Sequence, residues 1–138
     1  MQTKLLFLLS LLGLLLACNP QKQHQNADNE PIAVIDPQKF DDLMKVAPDV
    51  QLLDVRTPQE FAVGHLPKAI NNNIASPSFV DQAQKLDKNR PVFVYCKTGV
   101  RSHQAARELE KLGFREIYDM AGGLVVWQQK GLRIDMAP

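Results

Sequence analysis

The chain changes character twice along its length. From Leu5 to Ala17 it is apolar apart from Ser10 and Gly13, and Met1-Gln2-Thr3-Lys4 stands ahead of that block. One positive charge followed by roughly a dozen apolar residues is the pattern of a secretory leader. The block is shorter than the about 20 residues that a membrane-spanning helix requires. From Asn19 to Glu30 the pattern inverts, with no side chain able to build a core. That composition predicts a disordered tether, with a coil reach of about 20 Å. His24 within it reads as solvated.

From Ile32 onward, short apolar runs alternate with amphipathic stretches, which predicts an α/β domain built on a parallel sheet. Ile32-Ala33-Val34-Ile35 reads as a strand, and Asp36-Pro37 as an N-cap followed by proline at the first helical position. The helix so opened carries Phe40, Leu43 and Met44 on one face. Gln51 to Val55 reads as the next strand. Thr57-Pro58-Gln59-Glu60 is a capping box that starts a short helix ending near Gly64. Asn71-Asn72-Asn73 reads as a loop, followed by a weaker helix from Ser78 with Phe79, Ala83 and Leu86 inward. Pro91 to Tyr95 is continuously apolar, as suits a central strand covered on both faces. Ala105, Ala106, Leu109 and Leu112 then fall at helical spacing, and Gly113 is placed to end that helix. Glu116-Ile117-Tyr118 predicts a further strand and Leu124 to Trp127 a last short helix.

Composition narrows the function. Lys plus Arg number 16 against 15 Asp plus Glu, and 45% of the 138 residues are hydrophobic. Near-neutrality excludes the basic stripe of a nucleic-acid binder. The length suits one ordinary core. With only 2 cysteines, Cys18 and Cys96, neither a disulfide scaffold nor a structural zinc site is expected.

Cys18 closes the apolar block. Leu15-Leu16-Ala17-Cys18 resembles the lipobox of bacterial lipoproteins, with Leu16 bulkier than the residue usual there. The resemblance implies cleavage before Cys18, acylation of that cysteine, and a lipid anchor holding the protein at the cell envelope, outside the cytoplasm and facing the periplasm. Multiple acyl chains anchor stably where one does not. The expected organisation is a leader at 1–17, a lipidated tether at 18–31 and one domain at 32–138. Loss of Lys4 with the leader brings the charges to 15 against 15.

Cys96 follows the apolar strand directly, and Lys97-Thr98-Gly99-Val100-Arg101-Ser102 leads into the next helix. Ligands of parallel sheets gather at the carboxyl ends of strands. A tight loop there can turn successive backbone N–H groups inward, and the helix N-terminus adds a partial positive charge. Lys97 and Arg101 add two cations, and Gly99 lets the backbone turn sharply. These features favour the thiolate, which is the nucleophilic form of cysteine. No second cysteine or histidine lies at ligand spacing nearby, so no metal and no cofactor is expected.

Three segments in register resemble the rhodanese homology domain, specifically single-domain sulfurtransferases. They are Leu53-Asp54-Val55-Arg56-Thr57-Pro58-Gln59-Glu60-Phe61-Ala62-Val63-Gly64-His65-Leu66-Pro67-Lys68-Ala69, the loop Cys96 to Ser102, and Gly122-Gly123-Leu124-Val125-Val126-Trp127. Lys68 stands where that family commonly has glycine. The resemblance implies an α/β rhodanese-like domain with a central parallel sheet and helices on both faces. It further implies that Cys96 takes sulfane sulfur from a donor such as thiosulfate as a persulfide and passes it to cyanide or to a small-molecule or protein thiol. The amides of Lys97, Thr98, Gly99, Val100 and Arg101 would hold the persulfide, with Lys97 and Arg101 on the oxyanion of the donor. A monomer is expected. Arg56 and Glu60 are expected to pair locally, Asp54 to steady a turn or the loop, His65 to be a framework residue, His103 to be solvated and Trp127 to lie in the core.

Two rivals follow from the same residues. Phosphatases with a cysteine and arginine around an anion cradle place five residues between the two, whereas four separate Cys96 from Arg101 here. A persulfide carrier with no turnover of its own is the rival of another class.

Overall fold

A computed structural model describes residues 30–136. The expected leader at 1–17, Cys18 and the tether as far as residue 29 lie outside the described residues. Five strands form one parallel sheet: β1 (Ile32–Ile35), β2 (Gln51–Asp54), β4 (Ile70–Asn71), β5 (Val92–Tyr95) and β6 (Ile117–Met120). Their order is β1-β6-β5-β2-β4, which puts the most apolar strand at the centre. Two strands of two residues each, β3 (Gly64–His65) and β7 (Asp135–Met136), pair antiparallel in a separate small sheet.

Helices cover both faces, and the period-2 alternation of the strands divides the core accordingly. Val92, Val94 and Cys96 face one side, where they pack with Phe79 and Ala83 of α3 (Phe79–Ala83) and with Ala105, Ala106 and Leu109 of α4 (Val100–Lys111). Phe93 and Tyr95 face the other, against Phe40 of α1 (Pro37–Val46) and Leu124 and Trp127 of α5 (Gly123–Gln129). Phe40 meets Phe93 and Trp127 edge-on, with ring centroids 5.2 and 6.5 Å apart. Trp127 is in the core as expected, and its indole N–H finds the carbonyl of Arg133 at 3.0 Å.

The helix starts follow from local chemistry. Asp36 caps α1 through the N–H groups of Gln38 and Lys39, with Pro37 at the first turn. The capping box of α2 (Pro58–Val63) is complete, with Thr57 and Glu60 each bonding the other's backbone. Gly113, at φ 93, follows the end of α4. One reading is corrected: the Asn71–Asn73 loop begins in β4, because Ile70 and Asn71 register against Leu53 and Asp54. Lys68 lies at φ 66 in the turn before it. A left-handed backbone accounts for the glycine common at that position in the family it resembles.

Candidate active site

Cys96 sits one residue beyond β5, at the carboxyl end of the central strand, and is fully buried. Lys97 to Gly99 turn the chain, and Val100 opens α4. Gly99 caps that helix at φ 93, a conformation that costs other residues about 1–2 kcal/mol. Its N–H points at Cys96 Sγ, 3.1 Å away.

The loop amides are oriented because their carbonyls are tied elsewhere. At the start of α5, Leu124 N–H donates to the Cys96 carbonyl at 2.9 Å and Val125 N–H to the Lys97 carbonyl at 3.0 Å. In a trans peptide the N–H points opposite to the C=O. Binding those two carbonyls to α5 therefore aims the N–H groups of Lys97 and Thr98 away from α5. Such close approach requires glycine. A Cβ on Gly123 would lie 2.5 Å from the Cys96 carbonyl oxygen and 2.6 Å from the Lys97 carbonyl carbon, and one on Gly99 would lie 3.2 Å from Gly122 N. The Gly122-Gly123 pair is thus the second wall of the loop.

Two arginines flank the loop, and each holds a carboxylate. Buried Arg56 bonds both oxygens of Asp54 at 2.6–3.0 Å and donates to the Gly64 carbonyl at 2.7 Å. Burial works against its charge, but Asp54 outweighs that and raises its pKa. The guanidinium also stands over the Tyr95 ring, 5.9 Å from its centroid. Arg101 makes a two-pronged pair with Glu60, Nη1 and Nη2 donating at 2.7 and 2.8 Å. That pair, helped by Thr57 and opposed by burial, lowers the Glu60 carboxyl to about 2. Arg101 is held charged first by Glu60, with smaller contributions from Cys96 and Asp54.

Behind the loop, the Ser102 hydroxyl donates to buried Asp119 at 2.6 Å and lies 3.1 Å from the Gly99 carbonyl. His103 Nδ1 stands 3.2 Å from the other oxygen of Asp119. Burial raises the Asp119 carboxyl above its ordinary range, opposed by the bonds from Ser102 and His103. On the open side, a cavity of about 230 Å³ is lined by Arg56, Glu60, Val63, Lys97, Leu124, Val125 and Gln128.

The chain matches a protein-family profile over most of this fold. The Rhodanese-like domain profile covers residues 36–130. The chain belongs to the rhodanese-like family. This rhodanese-like chain is 32% identical over 100 residues to a sulfurtransferase of Allochromatium vinosum, covering 72% of this chain and 92% of that one. It is 35% identical over 92 residues to a tRNA uridine(34) hydroxylase of Pelagibacter ubique, covering 66% of this chain but only 30% of the hydroxylase. A Staphylococcus aureus rhodanese-like domain protein superposes with a TM-score of 0.63 at 28% identity, covering 74% of this chain and 97% of that one.

Within the rhodanese-like fold, Gly99 is the expected loop residue whose N–H meets Cys96 Sγ, and the neighbouring side chains are turned elsewhere. Lys97 and Thr98 are exposed, and Val100 projects outward at 76% exposure. Arg101 is turned onto Glu60. The expected Arg56–Glu60 pair does not form: Arg56 takes Asp54, two residues back, and Glu60 takes Arg101, 41 residues on. Proximity in sequence suggested the wrong partners. His65 is the framework residue expected, its Nδ1 2.9 Å from the Phe61 carbonyl and its ring stacked on Phe61. His103 is half-exposed but engaged with Asp119. Sequence reasoning did not single out Ser102 and Asp119, whose separation of 17 residues left no local signal.

Proposed function

We propose that the protein is a sulfurtransferase that carries sulfane sulfur on Cys96. The Cys96 thiolate attacks the outer sulfur of a donor such as thiosulfate, sulfite leaves with the electron pair of the S–S bond, and a Cys96 persulfide remains. A thiol, or cyanide in an assay, then takes that sulfur. The observation that carries the reading is the Gly99 N–H aimed at Cys96 Sγ from the start of α4, in a loop whose carbonyls are bound to α5. A preorganised set of N–H groups stabilises developing negative charge without reorganisation. The Allochromatium relative, named a sulfurtransferase and matched over nearly its whole length, supports the same chemistry.

The four-residue spacing between Cys96 and Arg101, together with an arginine already bound to Glu60, argues against a phosphate cradle. The proposal includes a lipid anchor at Cys18 that holds the domain (32–138) at the bacterial cell envelope, outside the cytoplasm and facing the periplasm. The sulfur acceptor is a small-molecule or protein thiol, and the working unit is a monomer.

Steady-state release of sulfite from thiosulfate in the presence of a small thiol tests turnover. The expected result is catalytic sulfite release that disappears in Cys96→Ser. A single stoichiometric burst, discharged only by a protein thiol, assigns the carrier role instead. Equal release by wild type and Cys96→Ser overturns the proposal.

A further inference from the structure

Three cations stand by the loop, Arg56 and Lys97 lining the cavity and Arg101 paired with Glu60 of its lining, and two of the three are neutralised. Arg56 is committed to Asp54, and Arg101 gives both terminal nitrogens to Glu60. Glu60 cannot readily swing aside, because its carboxylate also accepts from Thr57 N at 3.1 Å and Thr57 Oγ1 at 3.0 Å. Releasing Arg101 that way would undo the half of the α2 capping box that the Glu60 carboxylate makes. Among the described residues, Lys97 has no carboxylate within ion-pair distance and is exposed. The remaining lining is largely apolar, with Val63, Leu124 and Val125 beside Gln128. Val63 is 70% exposed and borders the cavity.

These charges discriminate between donors. Thiosulfate brings two negative charges toward a thiolate, with Lys97 alone left to offset them. An organic hydropersulfide, R–S–S–H, brings at most one charge on its sulfur, and its carbon-bearing R group suits the apolar lining. We infer that Glu60 sets the donor class: by neutralising Arg101, it disfavours dianionic sulfane donors and favours organic hydropersulfides. This rests on Cys96 being the sulfur acceptor. In the transfer, the Cys96 thiolate attacks the terminal sulfur of R–S–S–H and the S–S bond breaks. Its electron pair leaves on R–S⁻, and Cys96–S–S–H forms, with no external oxidant or reductant consumed. Glu60 acts through Arg101 as a specificity-determining residue.

The test is the single-turnover rate at which Cys96 of the full chain gains one sulfur, followed by intact mass. The two donors are thiosulfate and the hydropersulfide of N-acetylcysteine methyl ester, whose R group is uncharged. In wild type the hydropersulfide is expected to react faster. Glu60→Gln keeps a side chain that can complete the capping box but frees the Arg101 charge. It is expected to raise the thiosulfate rate about fivefold, the size of effect of one partly screened charge near the reacting atom. The hydropersulfide rate should stay within about twofold, since that donor gains little from the added charge. A variant that slows both donors equally makes Glu60 a structural clamp only and overturns the inference. So does a wild type that prefers thiosulfate, a comparison that stands even if Glu60→Gln does not fold. No added sulfur from either donor overturns the assignment of Cys96 itself, a separate outcome.

Discussion

Replacing Gly123 by alanine adds one methyl group at the tightest point of the loop. Gly123 adopts φ +58, and its added Cβ would stand 2.5, 2.6 and 2.7 Å from the Cys96 carbonyl oxygen and the Lys97 carbonyl carbon and oxygen. All three are backbone atoms, so no side chain can rotate away. A left-handed alanine costs about 1–2 kcal/mol, and forced overpacking adds about 1–3 kcal/mol. Relieving the clash by moving α5 weakens the bonds from Leu124 and Val125 to the loop, each contributing about 1 kcal/mol. The expected loss is about 3–5 kcal/mol, a large part of a small domain's stability. Gly113→Ala is the control: its φ is +93, but no atom lies within 4 Å of the added Cβ. That variant should lose only the backbone term, about 1–2 kcal/mol. Urea denaturation of wild type and both variants measures the difference. If Gly123→Ala loses no more than Gly113→Ala, the close approach of α5 to the loop is not what holds it, and the account of the oriented amides fails.

Three further outcomes follow from the same geometry. Asp54→Asn leaves the Arg56 guanidinium buried without its counter-charge and should destabilise by about 3–5 kcal/mol in urea denaturation; a loss below 1 kcal/mol, well under that of about 3–5, would mean that the pair is open to water. Lys68→Gly relieves a left-handed backbone at an exposed position and should raise stability by about 1 kcal/mol after the extra unfolded-chain entropy, read as a higher melting temperature. Glu60, whose carboxyl is lowered from 4.5 to about 2, stabilises the fold fully above its unfolded value and loses that contribution as pH falls toward 2. The stability gap between wild type and Glu60→Gln should therefore narrow from pH 4.5 downward, and a gap constant over that range contradicts the ion pair.

Much of the architecture was legible because it is local. The Asp36-Pro37 start, the Thr57–Glu60 box and the apolar run into Cys96 each state their structure within a few residues. β3 and β7 were not legible, since two-residue strands separated by about seventy positions carry no periodicity. β4 was hidden because its registry with Leu53 and Asp54, not its own composition, makes it a strand. The site was half readable. The cysteine, the loop and the glycine pair stood out by motif, but which carboxylate holds which arginine depends on how α2 meets α4. Neighbouring charges in the sequence suggested Arg56 with Glu60. The fold instead uses Glu60 to reach across to Arg101, and that contact decides how much positive charge the mouth presents.

The central claim is that Cys96 accepts sulfur. Incubating the protein with a sulfane donor, removing the excess and measuring intact mass with peptide mapping tests it directly. The account predicts one added sulfur on the peptide containing Cys96, removable by a thiol and absent in Cys96→Ser. An unmodified Cys96 after exposure to thiosulfate and to organic hydropersulfides, in a protein shown to be folded, would contradict it.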